Sequence, residues 1–413
     1  ETNIHKILVI NQYYIPDIAS SGQLLSELCE GLVGKGNVVT VVTAQPSYLE
    51  YSVDQPHEET INGVKVIRTS MSGTKGRNTL VKRISGYIRF LFQSWFVAKK
   101  ELSQENYDVV ITLSNPPFVG VLGALISKVF CLPYLCVIYD IHPEIVRDSN
   151  WISLPRFVFK IWNQIMVWVT DASTKVVVLS ERMKETVSET KSVPKEKIEV
   201  IPIWATPELL NLKSSITKEA LKRKLEIPED SILILSAGNI GIMQPADVIL
   251  NSAEKNQILP LHFLFVGGGT NWEEVVKEAK RRGINNINFI PYQPAESFKE
   301  ILSCSDVCIV SLGKGFEKYS VPSRAFTFLS AGKPIIALME MDSDISDLVI
   351  SNHCGWHAGD ENTLDHVLEL VTNENTNLSA MGDRAKELYL NNYRKDLVIS
   401  SFDCILSDIE GPD

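Results

Sequence analysis

The amino-acid sequence predicts two doubly wound α/β domains, each built on a largely parallel sheet that is covered by helices. Short apolar runs of strand length alternate with helical patterns along most of the 413 residues. These runs are almost continuously apolar, which is typical of strands buried on both faces. The series breaks at residues 202–215, where two prolines and a Lys-Ser-Ser run indicate a linker. We therefore predict an N-terminal domain at residues 1–205 and a C-terminal domain at residues 216–383.

The first series opens with a strand, helix and strand in that order. Residues 5–10 are apolar, Leu25, Leu28 and Leu32 share one face of a helical pattern, and residues 38–42 form the next apolar run. Such a βαβ unit implies parallel pairing of its two strands. Further strands of this domain are predicted at residues 64–68, 109–113, 134–138, 176–179 and 199–201.

The second series lies beyond the linker and has the same pattern. Its strands are predicted at residues 232–236, 261–266, 287–290, 307–310 and 335–338, with helical patterns between them. Ligands of doubly wound sheets bind outside the carboxyl ends of the strands. With two such domains, the cleft between them is the expected binding site.

The composition excludes several classes of protein. A net charge of −10 argues against general nucleic-acid binding. Seven cysteines without a CxxC pair indicate free thiols in a reducing compartment. The sequence begins directly with a strand pattern, so no signal peptide is expected. Lys128 and Pro133 interrupt the apolar stretch at residues 118–139, which predicts core elements rather than a membrane span.

One segment departs from the acidic average. Residues 61–100 carry nine Lys or Arg and no Asp or Glu. Apolar positions recur there at helical spacing, and aromatic residues are interleaved with the charges, as in helices that lie on a membrane surface. The alternative is a helix that covers the sheet with solvated charges. The basic residues predicted to contact an anionic membrane surface are Lys75, Arg77, Lys82, Arg83 and Arg89.

A candidate anion site lies within residues 313–337. Pro322 suits the first turn of a helix at about residues 323–331, and Gly332 can take the left-handed cap. The free amides of a helix N-terminus favour an anion, and Ser320, Ser323 and Arg324 lie at that end. The alternative is an ordinary junction with a solvated arginine.

Two glycine-bearing loops follow strands of the second series. Asn239-Ile240-Gly241 follows one strand and Gly267-Gly268-Gly269 follows the next, and both allow close approach of backbone to a ligand. Neither they nor the loop after the first strand has the GxGxxG pattern, so a nicotinamide enzyme is not expected.

Ionisable side chains follow the predicted strand at residues 134–138. Asp140, His142 and Glu144 come at its carboxyl end, where sites of such folds are built. On an extended chain Asp140 and His142 alternate, so only one is expected to point inward. The alternative for His142 is a loop residue beside a proline. No His or Cys cluster has metal-ligand spacing, and Asp342-Ser343-Asp344 is interpreted as a solvated loop, so no metal is expected.

The order and spacing of several short motifs resemble those of the retaining glycosyltransferases of family 4, over nearly the full length of the chain. The GT-B fold of that family has two Rossmann-like domains that face each other across a cleft. The matching motifs are Tyr14-Ile15-Pro16-Asp17, Gly34-Lys35-Gly36, Ser180-Glu181, Gly238-Asn239-Ile240-Gly241, Phe265-Val266-Gly267, Phe289-Ile290-Pro291-Tyr292, Ser305-Asp306 and Ala331-Gly332-Lys333-Pro334. The turn at Asp140 and the Pro322-Ser323-Arg324 helix start resemble the branch that builds bacterial surface polysaccharides and lipid-linked oligosaccharides.

The resemblance implies a nucleotide-sugar donor, UDP-linked, bound mainly by the C-terminal domain without a metal or other cofactor. It implies an acceptor on the N-terminal domain and a C-terminal helix, residues 384–409, that crosses back to that domain. Asp140 or His142 would face the transferred sugar. The donor-binding residues that it implies are Gly22, Asn239, Ile240, Gly241, Gln244, Gly267, Pro291, Tyr292, Ser320, Val321, Pro322, Ser323 and Thr327.

The chain departs from the family pattern at charged positions. Two glutamates of many members would fall at Tyr319 and Thr327, with Glu317 nearby, and the usual Arg and Lys after Gly241 are absent. Our hypothesis is that Arg324 replaces the missing cations as a catalytic residue beside the donor diphosphate.

The leading interpretation is a hexosyltransferase that acts on a glycolipid or lipid-diphosphate acceptor. It would be cytoplasmic and peripheral on the inner face of the membrane. The alternatives are a glycosyltransferase with a soluble acceptor, a nucleotide-sugar epimerase, and a degenerate, non-catalytic subunit of a polysaccharide-assembly complex.

Overall fold

The structure is a computed structural model that describes residues 4–17, 20–46, 54–69, 80–149, 154–205, 216–241 and 243–409, without the side chains of residues 20 and 80–84. These residues fall into two compact units. Unit 1 lies within residues 1–147, 153–201 and 398–413, and unit 2 within residues 148–152 and 202–397. Lys75, Arg77 and most of the expected linker lie outside the described residues, as do the side chains of Lys82 and Arg83.

Unit 1 is an α/β sheet domain. Its elements are β1 (Lys6–Ile10), α1 (Ser20–Gly34), β2 (Val38–Thr43), β3 (Glu58–Ile61), β4 (Val64–Arg68), α2 (Leu80–Gln104), β5 (Val109–Leu113), α3 (Val119–Phe130), β6 (Tyr134–Ile138), α4 (Glu144–Asp148), α5 (Arg156–Ala172), β7 (Lys175–Val178), α6 (Glu181–Lys191) and β8 (Ile198–Val200). The strand order is β3-β4-β2-β1-β5-β6-β7-β8. The central strands are buried because helices cover both faces of the sheet.

Strand β3 was not predicted from the sequence. It pairs antiparallel with β4 at the sheet margin, whereas β1, β2 and β4–β8 pair in parallel. Its residues Glu-Glu-Thr-Ile are exposed or half-buried, because an edge strand has a neighbour on one side alone. A search for apolar runs therefore passes over it.

The direction of the crossovers assigns the helices to faces. The β1-α1-β2 connection runs toward β4, whereas the connections through α2, α3 and α5 run toward β8. Since parallel crossovers are right-handed, α1 lies on one face of the sheet and α2, α3 and α5 lie on the other. Helix α3 packs against α2 and against α5.

Unit 2 is a second parallel α/β domain. Its elements are α7 (Lys218–Lys224), β9 (Ile232–Asn239), α8 (Ala246–Lys255), β10 (Leu261–Gly268), α9 (Trp272–Arg282), β11 (Ile287–Pro291), α10 (Ala295–Cys304), β12 (Val307–Ser311), α11 (Arg324–Ser330), β13 (Ile335–Leu338), α12 (Asp344–Ser351), β14 (Gly355–Ala358), α13 (Glu361–Thr372) and α14 (Leu378–Asn392). The strand order is β11-β10-β9-β12-β13-β14. The predicted strands of both domains are confirmed, and β14 is additional.

The end of the chain corrects one expectation. Instead of a single helix at residues 384–409, α14 ends at Asn392 and α15 (Lys395–Asp408) follows. At the break, the Tyr393 ring lies against Phe326 of α11, with 4.9 Å between ring centroids. From Val398 onward α15 belongs to unit 1. There Lys35 Nζ of α1 donates to Ser400 Oγ at 2.8 Å.

None of the helices within the described ranges combines the length and the apolar character that a membrane span requires.

Candidate functional site

At the carboxyl end of the unit 1 sheet, Ser114 fixes the backbone on which Asp140 lies. Ser114 follows β5, and its Oγ accepts hydrogen bonds from the backbone N–H groups of Tyr139 at 2.9 Å and Asp140 at 3.3 Å. Asp140 is thereby anchored directly after β6, with its side chain half-buried.

The His142 side chain is held by aromatic rings. It stacks on Trp162 of α5, with 5.8 Å between centroids and 13° between planes. Trp162 in turn lies against Phe118, with centroids 5.1 Å apart. His142 Nδ1 and Trp162 Nε1 are buried and find no hydrogen-bond partner within the described ranges. Such atoms favour a polar ligand or a water molecule, because a buried polar group without a partner is costly.

Asp140 and His142 line the same pocket, which corrects the expectation that only one of them points inward. The cavity volume of this pocket is about 30 Å³, and Ser114, Lys191 and apolar residues of β5, β6 and α5 also line it. The alternation rule fails because β6 ends at Ile138, and His142-Pro143 turns the chain into α4.

A buried ion pair lies beneath this pocket. Lys191 Nζ of α6 contacts both carboxylate oxygens of Glu144, at 2.7 and 2.8 Å, and also Asn163 Oδ1. The Lys191 and Glu144 side chains are 2% and 5% exposed. Burial lowers the pKa of Lys191, while the Glu144 charge opposes that change. The pair holds the start of α4, two residues after His142, against α6.

The electrostatics keep His142 neutral at pH 7. Burial lowers the pKa of His142, and the charge of Lys191 adds to the lowering, whereas Asp140 and Glu144 oppose it. A neutral imidazole beside a carboxylate can hydrogen-bond a sugar hydroxyl without carrying a second charge.

At the carboxyl end of the unit 2 sheet, glycines allow two loops to pack backbone on backbone. A Cβ built on Gly267 would lie 1.8 Å from the Gly238 carbonyl oxygen. One built on Gly269 would lie 2.0 Å from Asn239 Oδ1. The Ile240 N–H donates to the Gly268 carbonyl oxygen at 2.7 Å. At positions 267 and 269 no side chain larger than hydrogen fits, because the Gly238 backbone and the Asn239 side chain occupy the space that a Cβ would need.

Arg324 lies beside the first of these loops. A Cβ built on Gly238 would lie 3.7 Å from Arg324 Nε. The guanidinium carbon is 5.2 Å from the centroid of the Phe298 ring, a cation–π contact. Burial lowers the pKa of Arg324, and Tyr292 opposes that change. Within the described part of the chain its guanidinium has no carboxylate and no hydrogen-bond acceptor. A half-buried cation without a partner is suited to bind an anion.

The predicted helix start differs from expectation in one respect. Helix α11 has seven residues, Ser323 is exposed, and its side chain makes no capping hydrogen bond. The dipole of two helical turns is small, so Arg324 rather than the helix N-terminus supplies the positive charge. Gly332 takes the left-handed cap with φ of 65°, as predicted.

The other predicted donor-binding residues are distributed unevenly. Asn239, Ile240, Gly241, Gly267, Pro291 and Tyr292 come together at the ends of β9, β10 and β11, with the Tyr292 ring over Gly268. Gln244 accepts a hydrogen bond from Ser311 Oγ at 2.7 Å. Thr327 is buried within α11. Gly22 lies in unit 1, where a Cβ would meet Tyr13 and Tyr14 at 3.2 Å.

A second pocket adjoins Ser320, Val321 and Pro322. Its cavity volume is about 10 Å³, and Glu317 lines it together with these residues. Glu317 is 6% exposed, and its Oε1 accepts the Glu340 N–H at 3.0 Å. The carboxylate nearest to the missing family glutamates is thus held by the backbone at a fixed position.

Sequence reasoning missed three supporting residues, Ser114, Trp162 and Lys191. Ser114 could have been found, because it follows a buried strand. Trp162 lies 20 positions from His142, so no local motif joins the two. The Glu144–Lys191 pair spans 47 positions, and no local pattern connects residues so far apart.

Possible metal ligands were expected at most in the Asp342-Ser343-Asp344 segment. Among the described residues, no three His, Cys, Asp or Glu side chains cluster in a way that could hold a metal ion. Asp342-Ser343-Asp344 marks a helix start, where Ser343 Oγ accepts the Ser346 N–H at 3.1 Å and caps α12.

Two family models match the chain. The model of a glycosyl transferase 4-like domain matches residues 21–204, and that of glycosyl transferases group 1 matches residues 217–388. The chain belongs to this glycosyltransferase family. The resemblance noted in the sequence is thereby confirmed. The putative colanic acid biosynthesis glycosyl transferase WcaI of Escherichia coli K12 is 24% identical over 353 residues, which are 83% of this chain and 85% of that protein.

Solved structures confirm the GT-B fold. Sucrose-phosphate synthase from Thermosynechococcus elongatus superposes with a TM-score of 0.77 at 15% identity, over 98% of both chains. Anabaena Alr3699/HepE, solved in complex with UDP, superposes with a TM-score of 0.71 at 13% identity, over 98% of this chain and 100% of that one.

Proposed function

We propose that this glycosyltransferase moves a sugar from a UDP-linked donor, with retention, to a membrane glycolipid or lipid-diphosphate acceptor in bacterial polysaccharide biosynthesis. The relative named for colanic acid biosynthesis supports the pathway class, and the structural neighbour with bound UDP supports the donor. The observation that carries the proposal is Arg324, a half-buried cation without an anionic partner beside a glycine-lined loop.

The chemistry divides between the two units. As the glycosidic bond of the donor breaks, negative charge grows on the departing diphosphate, and Arg324 with the amides of Asn239 to Gly241 stabilises it. The same diphosphate accepts the proton of the acceptor hydroxyl on the same face of the sugar, so no protein base and no metal is needed. From unit 1, the Asp140 carboxylate and neutral His142 bind sugar hydroxyls, and Asp140 stabilises positive charge at the anomeric carbon.

Nucleotide binding tests the proposal. UDP at 100 times its dissociation constant should stabilise the protein by about 2.7 kcal/mol, which raises its melting temperature. Arg324→Gln should weaken UDP binding, measured by calorimetry, by 1.5–3 kcal/mol, or about 10- to 100-fold, because a charge-assisted contact is lost. The matched control is Arg281→Gln, since Arg281 is exposed and paired with Glu278.

Three outcomes separate the alternatives. If no nucleotide or nucleotide-sugar stabilises the wild-type chain, the non-catalytic subunit is supported and the proposed function fails. If Arg324→Gln leaves UDP binding unchanged, Arg324 does not bind the donor diphosphate. If the protein transfers sugar only to water-soluble acceptors, the proposed lipid acceptor is wrong and the soluble-acceptor alternative is supported.

A further inference from the structure

Exposed apolar side chains concentrate on one layer of unit 1. Of the fifteen exposed large hydrophobic residues in the described ranges, seven lie on α2, α3 and α5. They include all the exposed phenylalanines of those ranges. We call this surface the three-helix face, and its apolar residues are Ile88, Phe92, Phe96, Leu125, Val129, Phe157 and Ile161.

The spacing shows that these side chains form stripes along the outer surface of the helices. On α2, Ile88, Phe92 and Phe96 recur every four residues, whereas Phe90 and Ala98 are buried toward the sheet. Leu125 and Val129 on α3 and Phe157 and Ile161 on α5 have the same spacing. Because α3 packs against both neighbours, the stripes lie on adjacent helices of one layer.

The charge of this face is opposite to that of the protein. Helices α2, α3 and α5 contain eight Lys or Arg and two acidic residues, in a chain of net charge −10. Of the two acids, Glu101 is buried and paired with Lys65, which leaves Asp171 exposed. The exposed basic residues are Arg89, Lys99, Lys100, Lys128, Arg156 and Lys160. Lys128 Nζ also lies 5.3 Å from the centroid of the Trp168 ring, which joins α3 to α5.

The opposite face of the sheet has a cover. There α15 packs on α1 so closely that a Cβ on Gly31 would lie 2.1 Å from Ile399 Cδ1. On the three-helix face, phenylalanines are instead 66%, 53% and 64% exposed at residues 92, 96 and 157. Apolar exposure on this scale marks an interaction surface.

We propose that the three-helix face docks into the interfacial layer of an anionic bilayer. Phenylalanine and aliphatic side chains enter the boundary between headgroups and acyl chains, and the lysines and arginines contact lipid phosphates. Charge complementarity favours this occupant, because a symmetric dimer through this face would oppose like charges. The proposal rests on the proposed function for its lipid acceptor, and it extends the membrane contact from the basic segment, which includes most of α2, to α3 and α5.

Ring contacts connect this face to the candidate site. The Phe118 N–H donates to Tyr87 Oη of α2 at 2.7 Å, Phe118 lies against Trp162 of α5, and Trp162 stacks on His142. The helices that enter the bilayer therefore also support the site edge. Docking would hold Asp140 and His142 near the surface where a lipid-linked acceptor presents its polar head.

Vesicle sedimentation of the full chain tests the docking. Vesicles that contain phosphatidylglycerol should bind the wild-type chain, and pure phosphatidylcholine vesicles should bind it much less. Phe92→Ser with Phe157→Ser should lower the partition coefficient by at least about tenfold, because two exposed anchors are removed. The matched control is Ile258→Ser, since Ile258 is 94% exposed in unit 2.

Two exposed cysteines provide an independent readout. Cys131 caps the end of α3 on the three-helix face, and Cys404 lies on α15 above the opposite face. An environment-sensitive dye on Cys131, in a Cys404→Ser background, should shift to the blue with anionic vesicles. The dye on Cys404, in a Cys131→Ser background, should not. Equal shifts at both positions, or none at either, would overturn the proposal.

The remaining outcomes are distinct. A dimer in solution that Phe92→Ser with Phe157→Ser dissociates would assign the face to a second copy and overturn docking. UDP stabilisation, measured on the same proteins, separates the two proposals. A chain that binds UDP but no vesicles keeps the glycosyltransferase chemistry and loses the docking. A chain that binds vesicles but no nucleotide loses the proposed function instead.

Discussion

At the carboxyl end of the unit 1 sheet, side chains hold the candidate site in place, whereas at the corresponding end of unit 2 the backbone does so. In unit 1, Ser114, Trp162 and the Glu144–Lys191 pair orient Asp140 and His142. In unit 2, glycines let the ends of β9 and β10 pack closely, with the Gly238 carbonyl against Gly267 and the Asn239 side chain against Gly269.

The difference corresponds to the chemistry that each unit would supply. Sugar hydroxyls are recognised by oriented acceptors and donors, which need rigid supporting side chains. A diphosphate is recognised by backbone amides and a cation, so the backbone must lie within hydrogen-bond distance of the phosphates. Different substitutions should therefore disrupt the two sites. The unit 1 site should be destabilised when a buried charge loses its partner, and the unit 2 site when a Cβ is added to a glycine.

The largest effect is expected from breaking the buried ion pair. Lys191→Met leaves the Glu144 carboxylate without its cation in a site where both side chains are at most 5% exposed. The free energy of unfolding should fall by about 3–5 kcal/mol, measured by denaturant unfolding of the full chain.

Two further variants check the cause. Lys195→Met breaks an ion pair whose partners, Lys195 and Glu185, are each 52% exposed, and it should leave the unfolding free energy near the wild-type value. The double variant Lys191→Met with Glu144→Gln should recover a large part of the loss, because no charge is then buried alone. A double variant as unstable as Lys191→Met would show that packing, not charge, holds α4 against α6.

A smaller effect is expected from adding a methyl group to the unit 2 loops. Gly267→Ala places a Cβ 1.8 Å from the Gly238 carbonyl oxygen, so one of the two loops must move. The unfolding free energy should fall by about 2–3 kcal/mol, and UDP stabilisation should disappear.

Gly283→Ala is the control, because its φ of 66° strains a side chain but no atom lies within 4 Å of the new Cβ. It should cost about 1 kcal/mol and leave UDP stabilisation intact. Equal losses of UDP stabilisation would contradict a local role for Gly267.

The sequence was sufficient to predict the fold because apolar strands repeat at regular intervals. Periodicity located β5, β6 and β13 to the residue. It also placed the glycine loops and Arg324 at the carboxyl ends of strands, since that position follows from parallel topology. Strand β3 was missed because it is short and polar, and α14 and α15 were predicted as a single helix.

The candidate site was less predictable, because its supporting contacts are distant in sequence. Phe298 lies beneath Arg324, and Lys191 lies 47 residues from Glu144. Such partners are fixed by how helices pack and not by any spacing. The expectation that Asp140 and His142 point apart was wrong for a related reason, since the alternation rule holds only while the chain stays in a strand.

The smallest effect is expected on the pH dependence of the free energy of unfolding, through His142 in unit 1. Burial lowers the pKa of His142, so the unfolded chain, with its ordinary pKa near 6.5, binds a proton before the folded one does. The stability that neutral His142 contributes is therefore complete above about pH 6.5. It is lost as the pH falls toward the folded-state pKa, by up to about 1.4 kcal/mol per pH unit. His142→Gln should flatten the decline in unfolding free energy between neutral and acidic pH.

Burial also lowers the pKa of His262 in unit 2, so His262→Gln should remove a separate part of the same decline. A steep decline that persists in the His142→Gln protein would show that folding does not lower the pKa of His142. The environment of His142 would then not favour the neutral imidazole, and unit 1 would lose its proposed uncharged hydrogen-bonding group.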